Sequence, residues 1–142
     1  MAPKAVVVDA SVAVKWFNAE DFSEQATALR DDHVSGDVVL AAPSLLVWEV
    51  CNALRFNPET GSTEVRKALR DLCDLQMVLV GPDPEWMGDA VGEAFEKGVT
   101  LYDSSYLALA SHLRASFYSA DDVLLSKAEA ERANHISMYG AE

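Results

Sequence analysis

Short apolar runs rich in β-branched residues recur along the chain and predict five strands. These runs lack a clean alternation of apolar and polar positions, which is typical of strands covered on both faces. The intervals between them are long enough to hold crossover helices. The predicted strands cover residues 5–8, 38–42, 77–80, 117–119 and 136–138. The pattern therefore predicts an α/β fold with a central, mainly parallel five-stranded sheet.

Apolar positions at helical spacing predict seven helices between and after these strands. Ser44 and Ser62 precede the third and fourth helices, Asp83 precedes Pro84 at the start of the fifth, and Gly98 follows its end. These residue types are common at helix termini. The predicted helices cover residues 10–17, 22–32, 45–56, 63–74, 84–97, 104–114 and 123–133.

Length and composition indicate one folded domain over residues 1–142, because half of the residues are hydrophobic and 24% are charged. Asp9 interrupts the first apolar stretch, so no secretory segment forms, and no apolar run approaches the roughly 18 residues of a membrane span. Cys51 and Cys73 lack metal-ligand spacing and are interpreted as buried thiols. We expect a soluble, cytoplasmic protein.

The net charge is −12, from 23 acidic and 11 basic residues. Non-specific binding of nucleic acids depends on basic side chains that displace counterions from phosphates. The charge therefore argues against nucleic-acid binding through a broad basic surface.

Four acidic residues fall where a parallel sheet places its ligands, outside the carboxyl ends of the strands. Asp9 directly follows the first predicted strand, and Asp121 lies just beyond the fourth. Glu49 is the only charged residue between positions 45 and 54, with Asn52 close to it on the helix circumference. Asp103 stands at the start of the sixth predicted helix. The sequence predicts that the four carboxylates share one edge of the sheet.

Each acid also has a structural interpretation. Asp9, Asp103 and Asp121 precede helices and would serve as N-caps, and Glu49 would face solvent. Four unpaired carboxylates together, however, repel one another and persist where a divalent cation supplies the missing charge. A set of oxygen ligands without His or Cys favours Mg²⁺ or Mn²⁺ over zinc. Such an ion supports hydrolysis of phosphoesters.

The segments that carry these acids resemble the PIN-domain ribonucleases, and more narrowly the VapC-type toxins of toxin–antitoxin pairs. They are VVDASVAVKWF at 7–17, Glu49 with NAL at 52–54, LYDSSYLALA at 101–110 and FYSADDVL at 117–124. The resemblance covers nearly the whole chain. It implies a PIN-like three-layer α/β/α sandwich and an endoribonuclease that depends on Mg²⁺ or Mn²⁺, cleaves single-stranded or loop RNA with activated water, and leaves a 5′-phosphate.

The resemblance also implies roles for single residues. The family's acidic positions match Asp9, Glu49, Asp103 and Asp121, which would hold the metal and its water, with Asp122 as the neighbouring alternative to Asp121. The accompanying polar residues are Ser11, Asn52 and Ser119, and Ser119 stands where many relatives carry threonine.

Partners are implied by the resemblance as well: an RNA substrate, a VapB-type antitoxin and a second copy in a homodimer. Lys15 and Arg55 lie on helices that carry proposed ligands and are candidate RNA contacts. Two alternatives stay open, a non-catalytic PIN-like binding module and an RNA-processing nuclease without an antitoxin. A receiver domain or an aspartyl phosphatase fits less well, because Asp9-Ala10-Ser11 has neither adjacent acids nor an Asp-x-Asp motif.

Overall fold

A computed structural model describes residues 2–128 and 132–141 of the chain. Within these ranges five strands form one sheet in the order β3-β2-β1-β4-β5, and every neighbouring pair is parallel. The strands are β1 (Lys4–Val8), β2 (Val38–Pro43), β3 (Val78–Val80), β4 (Ser116–Ser119) and β5 (Ala133–His135). The parallel five-stranded sheet predicted from the sequence is confirmed. All carboxyl ends consequently meet at one edge.

Seven α-helices, counted over the same ranges, flank the sheet and give the three-layer α/β/α arrangement. They are α1 (Ala10–Ala13), α2 (Ser23–Ser35), α3 (Leu45–Leu54), α4 (Ser62–Asp74), α5 (Pro84–Lys97), α6 (Leu101–Leu113) and α7 (Asp122–Lys127). A 3₁₀ turn, Val14–Trp16, continues α1. In this described part of the chain, no helix has both the length and the apolar character needed to cross a membrane.

The hydrophobic core lies on both sides of β1, the middle strand. Val7 and Val8 of β1 and Phe117 of β4 are almost completely inaccessible to solvent. The helix α6 packs against β1, β2 and β4, and each of its residues from 104 to 110 is buried. Side chains near the start of α6 are therefore held firmly beside the carboxyl ends of the central strands.

Both predicted ends of α5 were confirmed, whereas two other predicted helix starts lack the expected serine cap. Asp83 caps α5 by accepting a hydrogen bond from the Glu85 amide at 2.8 Å, and Gly98 ends it with φ +64°. Ser44, by contrast, makes no capping hydrogen bond, and Ser62 lies inside α4, whose N-cap is Gly61. The predicted third helix was two residues too long, and the first continues as a 3₁₀ turn.

The C-terminal region differs most from the prediction. Residues 136–138 form a 3₁₀ turn, Ile136–Met138, and the fifth strand is Ala133–His135, which pairs with β4. Ile136 is fully buried, so its apolar character reflects core packing rather than membership of a strand. The predicted helix over 123–133 was too long, because α7 ends at Lys127; residues 129–131 of that prediction lie outside the described residues.

The prediction of two buried thiols was also wrong. Cys51 is half-buried, whereas Cys73 is exposed on α4, and neither forms a disulfide. The apolar stripe of α4 is carried by Ala68 and Leu72, and Cys73 lies beside it on the solvent side.

Candidate active site

Asp9 lies at the carboxyl end of the central strand, and both of its carboxylate oxygens accept hydrogen bonds. Oδ1 accepts from the Ser11 amide at 3.1 Å and the Ser11 hydroxyl at 2.5 Å, and Oδ2 accepts from the Ser119 hydroxyl at 2.5 Å. The residue is 6% exposed. Asp9 is thus the N-cap of α1, which confirms its structural interpretation. It is also a buried carboxylate whose two oxygens both accept hydrogen bonds.

The two serines connect the ends of β1 and β4. Ser11 Oγ accepts a hydrogen bond from the Ala120 amide at 2.8 Å, and Ser119 Oγ accepts one from the Asp121 amide at 2.9 Å. These bonds fix the loop that follows β4 against Asp9. The position of Asp121 therefore depends on the same hydroxyls that hold Asp9.

Asp103 and Asp121 approach the same edge from the starts of two helices. Asp103 is the third residue of α6, and Thr100 is the cap, because its hydroxyl accepts a hydrogen bond from the Asp103 amide at 3.0 Å. The N-cap interpretation of Asp103 was therefore wrong. Asp121 does cap α7, since its Oδ1 accepts from the Leu124 amide at 3.1 Å.

Glu49 is half-buried on α3, and one of its oxygens is held by a residue that the sequence did not identify as functional. The Tyr106 hydroxyl donates to Glu49 Oε1 at 2.5 Å. Tyr106 lies one helical turn after Asp103 on α6, so both side chains leave the same face of that helix. The spacing of three residues between Asp103 and Tyr106 is the feature of the sequence that could have indicated a place for Tyr106 near the site.

Burial and mutual repulsion raise the pKa values of three of the acids. Burial raises the pKa of Asp9 from its ordinary 3.8 to about 6, against the lowering effect of hydrogen bonds from Ser11 and Ser119, with a further rise from the negative charge of Asp121. Burial raises the pKa of Glu49, as does Asp103, while the Tyr106 hydrogen bond lowers it. Burial and Asp121 likewise raise the pKa of Asp103.

These influences link the four carboxylates in one electrostatic group. Within residues 2–128 and 132–141 none of the four forms an ion pair with a lysine, arginine or histidine. The group therefore combines several negative charges with no cationic side chain to balance them. Such an arrangement is favourable for binding a cation.

The chemistry of the donors fits a hard divalent ion. All four side chains offer carboxylate oxygens, the ligands that Mg²⁺ and Mn²⁺ prefer. In the part of the chain that the structure describes, no three His, Cys, Asp or Glu side chains converge into a ready-made coordination sphere. The carboxylate oxygens themselves fit an ion of the Mg²⁺ kind, which proteins commonly hold through one or two carboxylates while it keeps several waters.

Two further predicted residues, Asn52 and Asp122, form no hydrogen bond with the four acids within the described residues. Asn52 is exposed on α3 and makes no side-chain hydrogen bond to any of the acids. The Asp122 side chain is 90% exposed and lies 3.7 Å from His135 Nε2. Asp121, which influences both Asp9 and Asp103, is therefore the better candidate for the fourth acid than Asp122.

The two candidate RNA contacts differ in accessibility. The Lys15 side chain is only 7% exposed, and its ammonium group lies 3.2 Å from Glu20 Oε1. A buried lysine paired with a carboxylate is less accessible to an RNA phosphate than an exposed cation is. Arg55 is exposed at the C-terminal end of α3.

Comparison with known proteins agrees with this architecture. Residues 6–130 match the model of the PIN domain family. The chain is 32% identical over 126 residues to "Ribonuclease VapC3" of Pyrobaculum aerophilum, covering 86% of this chain and 93% of that protein. The crystal structure of PAE2754 from the same organism superposes with a TM-score of 0.69 at 23% identity, covering 97% and 93% of the two chains, and shows a shared fold. The chain therefore belongs to the PIN-domain family, among its VapC-type members.

Proposed function

We propose that this protein is an endoribonuclease that hydrolyses RNA phosphodiester bonds with water activated by Mg²⁺ or Mn²⁺. The observation that carries the proposal is the group of Asp9, Glu49, Asp103 and Asp121 at one sheet edge, with which no cationic side chain of the described residues forms an ion pair. The similarity to a protein named a ribonuclease supports RNA as the substrate.

The chain's own residues supply position and charge for this reaction. A divalent ion held by these carboxylates would supply charge neutralisation at the scissile phosphate and would lower the pKa of a bound water. Asp9 is held by more hydrogen bonds than the other three acids, because Ser11 and Ser119 donate to both of its oxygens. Asp103 and Asp121 are set by the first turns of α6 and α7, and Glu49 is set by Tyr106. Product RNA would carry a 5′-phosphate.

The proposed biological role is that of the toxin in a VapBC-type toxin–antitoxin pair, acting in the cytoplasm. The 32% identity to VapC3 supports this role, and with it a VapB-type antitoxin and a homodimer as partners. The net charge of −12 is compatible with an RNA substrate if the scissile phosphate is bound through the ion rather than through a basic surface. Arg55 is retained as a candidate contact for the RNA backbone.

The test is cleavage of a labelled single-stranded RNA by the purified protein. We expect cleavage with Mg²⁺ or Mn²⁺, none with EDTA, and none with Asp9→Asn while the circular dichroism spectrum is unchanged. Absence of cleavage would instead favour the non-catalytic binding module, and cleavage that persists in EDTA would contradict the role of the divalent ion. Cleavage without toxicity in cells, and without suppression by a neighbouring antitoxin, would favour an RNA-processing nuclease.

A matched pair of variants tests the fourth acid. Asp121→Asn and Asp122→Asn each remove one negative charge from adjacent residues at the start of α7. Asparagine caps helices as well as aspartate does, so both variants should fold. We expect Asp121→Asn to lose cleavage and Asp122→Asn to retain it, and the opposite result would assign the role to Asp122.

A further inference from the structure

We propose that Tyr106 is a positioning residue whose hydroxyl holds the Glu49 carboxylate in place for the divalent ion and thereby raises the affinity of the site for that ion. The inference rests on the proposed function, because it assigns a role in the same site. Tyr106 contacts a candidate ligand, Glu49, and has no carboxylate of its own.

The first step is that the Tyr106 hydroxyl is itself fixed. Tyr106 is 1% exposed within the fully buried stretch of α6. Its ring stacks on Phe117 of β4, with 6.4 Å between ring centroids and 27° between ring planes. A side chain packed in this way has little freedom to move. The hydroxyl is therefore a fixed point between α6 and α3.

The second step is that Glu49 would be poorly defined without this contact. Glu49 is half-buried, and in the described residues the Tyr106 hydroxyl is the one hydrogen-bond donor to its carboxylate. A glutamate side chain loses several rotatable torsions when it is held by an ion. Fixing Oε1 in advance removes part of that cost, and among the described residues Oε2 accepts no hydrogen bond.

The third step is that Tyr106 can act only as a donor here. The Tyr106 hydroxyl lies 2.5 Å from Glu49 Oε1, and because a carboxylate oxygen accepts hydrogen bonds, the phenol donates. Its contribution is geometric.

The fourth step concerns the two helices that meet at this bond. Asp103 and Tyr106 lie one turn apart on α6, while Glu49 lies on α3, 57 positions earlier in the chain. The hydrogen bond thus positions the Glu49 carboxylate on α3 relative to the Asp103 carboxylate on α6. Hydrogen-bond partners of this kind around metal ligands commonly contribute to metal affinity.

The experiment measures binding of Mn²⁺ alone to the full chain by titration calorimetry. Tyr106→Phe keeps the ring and removes only the hydroxyl; we expect the Mn²⁺ dissociation constant to rise by about 10- to 100-fold. Excess Mn²⁺ should then restore RNA cleavage, as expected for a positioning residue. Tyr139→Phe is the matched control, because it removes a tyrosine hydroxyl that also donates to a carboxylate, that of Asp32, which is not one of the four acids.

The outcomes separate this inference from the proposed function. An unchanged dissociation constant in Tyr106→Phe, or an equal loss in Tyr139→Phe, overturns the role of Tyr106 and leaves the metal site standing. Wild-type protein that binds no Mn²⁺ overturns both. If Tyr106→Phe does not fold, Glu49→Asp takes its place, because the shorter side chain withdraws the carboxylate from Tyr106 at the same charge; Mn²⁺ affinity equal to wild type would then overturn the inference.

Discussion

Replacing Asp9 with asparagine should make the metal-free protein more stable while it abolishes RNA cleavage. Asp9 is 6% exposed, and its pKa is raised from 3.8 to about 6, chiefly by burial. At 1.36 kcal/mol for each pKa unit, the ionised side chain costs the folded state about 3 kcal/mol at pH 8. Asparagine carries no charge and can still accept from Ser11 and bond to Ser119. We expect a gain of about 1–3 kcal/mol in the free energy of unfolding.

The same carboxyl gives the metal-free wild type a pH dependence of known sign. Because its pKa is higher in the folded than in the unfolded chain, protonation of Asp9 favours folding. This contribution is fully present below about pH 4 and is lost as the pH rises through about 6. The raised pKa values of Glu49 and Asp103 act in the same direction. Without metal, the protein should be more stable at pH 5 than at pH 8.

Urea denaturation in EDTA at pH 5 and pH 8 measures both effects. Asp83→Asn is the matched control, because Asp83 is an exposed N-cap that accepts one amide hydrogen bond, and asparagine caps equally well. Its stability should equal that of wild type at both pH values. The reasoning is refuted if Asp9→Asn is less stable than wild type at pH 8, or if wild type without metal is more stable at pH 8 than at pH 5.

Three further predictions concern single interactions. Ser119→Ala removes a donor to the buried carboxylate at the end of β1 and should weaken Mn²⁺ binding by about 10- to 100-fold, whereas Ser119→Thr should retain binding in the same titration. His33 accepts from the Leu40 amide at 3.0 Å and bonds the carbonyl at the end of α4 at 2.6 Å, so His33→Ala should lower the free energy of unfolding by about 1–3 kcal/mol in urea without changing cleavage. Gly98 has φ +64°, so Gly98→Ala should lower the free energy of unfolding by about 1–2 kcal/mol. Gly92 lies inside α5 with open space around it, so Gly92→Ala should raise the free energy of unfolding by about 0.5–1 kcal/mol. Thermal melting measures both changes.

The fold could be predicted where local chemistry decides the structure. The bounds of α5 were predicted correctly, because Asp83, Pro84 and Gly98 each favour a helix terminus at their own positions. The start of α6 was placed three residues late. Its residues 104–110 are buried on every side, so this stretch has no amphipathic period, and the helix begins before it, capped by Thr100.

Long-range packing explains what the sequence could not provide. The position of the fifth strand depends on its pairing with β4. Residues Ala133–His135 form this pairing, and the more apolar residues that follow do not. The bond between Tyr106 and Glu49 depends on how α6 packs against α3, and the burial of Lys15 depends on the path of the chain back to Glu20. Neither contact follows from local residue patterns.

For the four acids, too, some features could be predicted from the sequence and others depend on the folded structure. Their order along the chain predicted a shared sheet edge, because parallel strands end together. Whether each acid is also a helix cap depended on helix starts that only the structure fixes: Asp9 and Asp121 are caps and Asp103 is not. Capping and a role at the site are therefore not exclusive alternatives for an aspartate at a strand end.

The most direct test of the central claim is to sequence RNA ends in cells that express either the wild-type protein or Asp9→Asn at equal levels. The account predicts new 5′-phosphate ends at defined RNA sites with wild type, and their absence with Asp9→Asn. The same new ends in both strains would contradict the claim that this group of carboxylates cleaves RNA.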